Sequence, residues 1–139
     1  MRNLIVGVDG SAESMKAVDL ASQIGAATHS KVVLVHVLPM PFPMPPEVII
    51  PPNWVEELTQ AGKEILAAAR SVCEKAGADC ETRILDGAPE EALSRLALQL
   101  ESDLIAVGSH GRGVVARFLL GSVADRLVQS AGRPVLVAR

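Results

Sequence analysis

The 139-residue chain has no tyrosine, one tryptophan and two phenylalanines. That is too few aromatic rings for the stacking platform on which single-stranded nucleic acids are bound. It has no basic excess either: 13 lysines and arginines stand against 16 acidic residues, a formal net charge of −3. The counterion-releasing stripe of a nucleic-acid protein is therefore missing, and no nucleic-acid partner is expected. The two cysteines, Cys73 and Cys80, have neither CxxC spacing nor the density of a secreted scaffold, and read as free thiols. No apolar run approaches the roughly 20 residues of a membrane span. The opening segment enters a strand-like run without the apolar core, roughly 7 to 15 residues long, of a signal peptide. A cytoplasmic protein with no membrane partner is expected.

What is present suits one domain. The length lies within the roughly 100 to 200 residues usual for one, and a chain of this size buries about 68 to 70% of its unfolded surface. Hydrophobic residues make up 49%, so no disulfide or metal is needed to complete a core.

Leu4-Ile5-Val6-Gly7-Val8 is a short continuous apolar run closed by Asp9-Gly10-Ser11, the pattern of a strand buried on both faces and followed by a turn. Ser11 or Asp9 is placed to cap a helix from Ala12 to about Thr28. In it Met15, Val18, Ala21 and Ile24 form a stripe that Ala17 and Leu20 widen. Val32 to Val37 reads as a second buried strand, with His36 as a packed core residue. Seven of the nine prolines fall between Leu38 and Trp54, which excludes a long regular element there. The loop also carries Met40, Phe42, Met44, Ile49 and Ile50. Such apolar side chains suit a lid or partner surface, or packing onto the domain itself.

Trp54 to Ala76 reads as an amphipathic helix with Leu58, Ala61, Ile65, Ala69 and Val72 on one stripe, ended by Gly77. Cys80 to Leu85 mixes polar and apolar residues as an edge strand does. Pro89-Glu90-Glu91 starts a helix continued by Leu93, Leu96, Ala97 and Leu100. Leu104 to Val107 is a fourth strand, a last helix runs from about Gly121 to Ala131, and Pro134 to Ala138 supplies the fifth strand. Strands alternating with helices in this way predict an α/β fold with a doubly wound, largely parallel sheet of five strands and four helices.

In such sheets ligands sit beyond the carboxyl ends of the strands where strand order reverses. The turns after strands one and four come first, and they hold Asp9 and the cluster Gly108-x2-Gly111-x9-Gly121-Ser122. Glycines let backbone approach a phosphate, and the helix N-terminus near Ser122 offers N–H groups to an anion. The competing reading is purely structural: Ser122 with Asp125 three residues on fits a helix start, and glycines after a strand also make turns. A P-loop is excluded because Val114 stands where its lysine must be. Gly111 to Ala116 fits a loose dinucleotide fingerprint but follows the fourth strand, with only one strand after it, and is taken as a decoy.

The spaced glycine motif, with Val6-Gly7-Val8-Asp9-Gly10-Ser11 and the closing Pro134-Val135-Leu136-Val137, resembles the universal stress protein family over essentially the whole chain. The glycine spacing resembles that of the branch that binds ATP. The resemblance implies a single Rossmann-like domain over residues 1–139 with strand order 3-2-1-4-5. It implies an ATP site with Asp9 contacting the nucleoside and Val8 and Val37 lining the adenine. Gly108, Ser109, His110, Gly111 and Arg112 would wrap ribose and phosphates, and Gly121, Ser122 and Val123 would hold the phosphates, with magnesium as the expected metal.

Two like charges repel, so Asp9 suits a ribose hydroxyl, an adenine N–H or a metal rather than a bare phosphate, or else it caps the first helix. Arg112 and Arg117 are candidate phosphate cations or simply solvated. His110 is read as shaping its loop, and no catalytic residue is assigned. The apolar last strand predicts a homodimer paired through Val135, Leu136 and Val137, as the resemblance also implies, unless the chain's own loops cover that edge. A nucleotide-dependent regulator or stress-survival factor, with slow ATP hydrolysis at most, is the expected activity. Its rivals are a nucleotide-independent interaction module and a dedicated ATP hydrolase or nucleotidyl transferase.

Overall fold

The computed structural model describes residues 2–39, 45–110 and 120–139. Met40, Phe42, Met44, Gly111, Arg112 and Arg117, with the whole of the decoy fingerprint, lie outside these residues. The elements alternate as expected: β1 (Asn3–Gly7), α1 (Ala12–Thr28), β2 (Lys31–Leu38), α2 (Trp54–Lys75), β3 (Asp79–Asp86), α3 (Pro89–Gln99), β4 (Leu104–Gly108), α4 (Ser122–Ser130) and β5 (Val135–Ala138). All pairings are parallel, in the order β3-β2-β1-β4-β5.

Leu4, Ile5 and Val6 are fully buried in the central strand, which explains its unbroken apolar run. Successive side chains enter opposite layers. Leu4 and Val6 join Leu34, Val18 and Leu66 under α1 and α2, whereas Ile5 joins Val35, Leu93 and Leu127 under α3 and α4. β3 is half-buried along its interior and β5 is half-buried at Val135, Leu136 and Val137, as edge strands should be. Among the described residues no helix is long and apolar enough to cross a membrane.

Three details of the sequence reading change. Leu20 does not widen the α1 stripe: it is exposed, and the buried face instead includes Ser14, Ser22 and Gly25. Small residues win there because they let the helix lie close to the sheet. In α2 the fully buried ridge is Gly62, Leu66, Ala69 and Cys73, turned one position from the expected stripe. Leu58 and Ala61 line a cavity, and Ile65 both lines it and packs against the core beside Val72. That cavity also claims His36, which is half-buried in its wall rather than packed in the core.

Candidate functional site

The cavity, about 540 Å³, opens at the carboxyl end of the sheet across β2, β1 and β4. It brings together the sequence candidates Val8, Asp9, Val37, Gly108, Ser109, His110, Gly121, Ser122 and Val123.

At the end of β1, Val8 prolongs the sheet ladder although it lies beyond the strand. Its N–H donates to the Val35 carbonyl at 2.8 Å, and its own carbonyl accepts from His36 Nδ1 at 2.7 Å. Asp9 Oδ1 then accepts the Ser11 N–H at 2.8 Å, a local turn in which a carboxylate replaces a backbone acceptor. Ser11, not Asp9, is the α1 cap: its Oγ accepts the Ser14 N–H at 3.2 Å. The Ser14 hydroxyl donates to the Ser11 carbonyl at 3.0 Å. Among the described residues no donor reaches Asp9 Oδ2.

At the end of β4, Gly108 is held against α1: a Cβ there would lie 2.7 Å from Ser14 N and 2.8 Å from the Glu13 carbonyl carbon. The following residue is a backbone clasp. The Ser109 N–H donates to the Ala138 carbonyl and its carbonyl accepts the Gly121 N–H, both at 2.6 Å. Ser109 is thus 2% exposed and ties β4, β5 and the start of α4 together. Its Oγ meets His110 Nδ1 at 3.0 Å. His110 Nε2 is buried with no partner among the described residues.

α4 begins without a side-chain cap. Gly121 occupies the cap position in extended conformation (φ −62°, ψ 159°), so the reading of Ser122 as cap with Asp125 completing a box is not realised. Asp125 instead accepts from Gln129 Nε2 at 3.0 Å. The first-turn N–H groups of a helix have no intrahelical acceptor. Here they belong to Ser122, Val123 and Ala124, all on the cavity wall. Arg126 ties α4 to α3 by donating to Glu90 Oε1 at 2.5 Å. Asp9 is the only formally charged side chain among the described lining residues, so amides, not cations, supply the positive character of that wall.

The sequence reading did not assign His36, Ser14, Leu58, Ala61, Ile65, Pro89, Leu93, Val107 and Ala124 to this wall. Leu58 and Ile65 are indistinguishable from core residues by periodicity alone. Gly62 carried a signal: a glycine inside a helix is costly, and here it makes room for the His36 ring, whose Cδ2 would lie 2.7 Å from a Cβ. In the proline-rich loop, Pro39 lines the cavity, whereas Ile49 is 92% exposed and does not pack onto the domain. Among the described residues no group of three or more His, Cys, Asp or Glu is placed to hold a metal.

Comparison with known proteins agrees with this architecture. A universal stress protein of Methanocaldococcus jannaschii is 31% identical over 143 residues, covering 99% of this chain and 82% of that relative. A solved universal stress protein in complex with cAMP superposes with a TM-score of 0.75 at 33% identity, covering 99% of this chain and 96% of the other. The universal stress protein from Archaeoglobus fulgidus in complex with dAMP gives a TM-score of 0.76 at 25% identity, over 100% and 98% of the two chains. The family model described as Universal stress protein family matches residues 1–139. Fold, spaced glycines and full-length match agree: the chain belongs to the universal stress protein family.

Proposed function

We propose that the chain binds ATP in this cavity and acts as a nucleotide-dependent regulator or stress-survival factor, with slow hydrolysis at most. The observation that carries this reading is the uncapped start of α4. Gly121 leaves the amides of Ser122, Val123 and Ala124 and the positive end of the helix dipole on the cavity wall, the arrangement that accepts a phosphate. Gly108, Ser109, His110, Gly111 and Arg112 then wrap ribose and phosphates. The volume of about 540 Å³ falls in the range of roughly 300 to 1,000 Å³ typical of small-molecule sites. That relatives of the same fold carry cAMP and dAMP supports an adenine nucleotide; the triphosphate is our own extension.

Polarity sorts the ligand along the cavity. Val8, Val37, Leu58 and Ile65 make the β2–α2 end apolar, suited to a base, and the α4 end is rich in amides. Asp9 lies between them in the turn that follows β1, suited to ribose hydroxyls. Magnesium fits as a passenger of the nucleotide. It is usually held by one or two carboxylates together with phosphate oxygens, and Asp9 is the single carboxylate of the described wall. The ion would offset the repulsion between that carboxylate and the phosphates. The sheet edge supports assembly: among the described residues β5 pairs only with β4, and its half-buried Val135, Leu136 and Val137 suit pairing with a second copy of the chain.

Equilibrium titration of nucleotide-free protein with ATP and magnesium tests the reading, beside a Gly121→Val, Ser122→Ala double variant. Saturable binding that is lost in a still-folded variant is expected. No binding at millimolar ATP refutes the proposal and favours a nucleotide-independent interaction module. Turnover within the ordinary enzyme range of about 1 to 1,000 per second would overturn the regulator reading. A monomer at every concentration in sedimentation would overturn the dimer.

A further inference from the structure

His36 lies on β2 where the cavity wall meets α2, and two contacts fix its ring. Nδ1 bonds the Val8 carbonyl at 2.7 Å. A carbonyl only accepts, so Nδ1 carries the proton and the neutral ring keeps a lone pair on Nε2. On the other side the ring rests against the bare Cα of Gly62, where a Cβ would lie 2.7 Å from Cδ2 and 3.3 Å from Nε2. Glycine in the middle of a 22-residue helix costs about 1 kcal/mol relative to alanine. The closeness of the ring gives this glycine a reason. Among the described residues Nε2 has no hydrogen-bond partner, and the side chain lines the cavity.

We infer that His36 is the residue that selects adenine, its Nε2 accepting a hydrogen bond from the exocyclic amino group of the base. The inference rests on the nucleotide reading above and deepens it. β2 stands two strands from β4 in the sheet, about 10 Å at the usual strand spacing. A nucleotide with its phosphates at α4 therefore brings its base to β2. There Val8, Val37 and Ile65 supply apolar faces but no side-chain polar atom to distinguish one purine from another. His36 supplies an acceptor with its tautomer already set. Adenine presents an amino donor, whereas hypoxanthine and guanine present a carbonyl oxygen at the same ring position. That oxygen would set acceptor against acceptor. Discrimination by a hydrogen bond of this kind comes largely from the unpaired groups left with the wrong partner.

The test compares dissociation constants for ATP and ITP, each with magnesium, in the parent chain and in His36→Leu, with folding checked by circular dichroism. The parent chain is expected to favour ATP by about tenfold, a difference on the order of one hydrogen bond. His36→Leu should bring the ratio close to one by weakening ATP and leaving ITP nearly unchanged. Gly62→Ala provides an independent route, because it favours the helix yet pushes the ring aside, and it should also narrow the ratio. A ratio that survives in a folded variant, equal weakening of both nucleotides, or no preference in the parent chain overturns the assignment. The parent chain binding neither nucleotide overturns the nucleotide reading itself, and the assignment with it.

Discussion

Replacing Gly108 by alanine separates the structural and ligand-binding roles of the spaced glycines. The new Cβ would stand 2.7 Å from Ser14 N, and 2.8 Å from both the carbonyl carbon and Cβ of Glu13. Two of these neighbours are backbone of the first turn of α1 and cannot swing away as a side-chain tip can. Overpacking of this kind costs about 1 to 3 kcal/mol. Restricting the unfolded chain returns about 0.4 to 1 kcal/mol, leaving a net loss of about 1 to 2 kcal/mol. With an unfolding entropy of about 2.1 cal/mol/K per residue, a chain of 139 residues should melt about 3 to 7 °C lower. Gly7→Ala is the control, since its nearest neighbour at 2.9 Å is Cδ1 of Leu93, the end of a flexible side chain, so it should cost less. Urea titration and calorimetry measure both. A neutral Gly108→Ala, or a Gly7→Ala of equal cost, would refute the claim that α1 backbone dictates this glycine.

Two further predictions concern protons. Burial, reinforced by a hydrogen bond with Cys73, pushes the Cys80 thiol up to about 11. Compared with a free thiol near 8.5, its thiolate fraction at pH 8 falls by about two orders of magnitude. Alkylation of the native protein should slow correspondingly and recover in denaturant; fast native modification of Cys80 would contradict this. The Asp103 carboxyl is held below its ordinary value, chiefly by the Arg2 N–H that it accepts at 2.6 Å. A depressed folded pKa gives stability that is present above the unfolded value of about 3.9 and lost as pH falls through the folded one. Melting curves should therefore decline below about pH 4, less steeply in Asp103→Asn, and identical acid limbs would contradict the linkage.

How far the sequence could be read depended on whether one physical demand or two acted on a residue. Leu4 to Val6 and Leu104 to Ala106 answer only to burial, and their apolar runs located β1 and β4 within a residue. The acid-led Pro89 start and the Ser11 cap are local matters, settled within one turn of helix. In α2, by contrast, Leu58, Ala61 and Ile65 keep helical spacing because they line an apolar cavity next to the core, and spacing cannot distinguish one apolar neighbour from another. His36 misled for a related reason, since a polar residue in a buried strand looks the same whether its partner is a carbonyl or a future ligand. Ser122 was ambiguous because serine serves equally as a cap or just inside one; Gly121 took the cap, leaving Ser122 on the cavity wall.

The two short hydrogen bonds of Ser109 matter for how such a site can vary. They fix where the chain leaves β4 and where it re-enters at Gly121, so the segment between is held at its ends by bonds that do not depend on its side chains. Closing a flexible loop twice as long costs only about 0.6 kcal/mol more. Residues can therefore be exchanged, inserted or lost between these two anchors with little effect on the sheet or on the direction of α4. Changes to what contacts the phosphates can to that extent be made between the anchors without rebuilding the core, whereas the base is met by β2 and α2, where His36 and Gly62 are part of the packed fold.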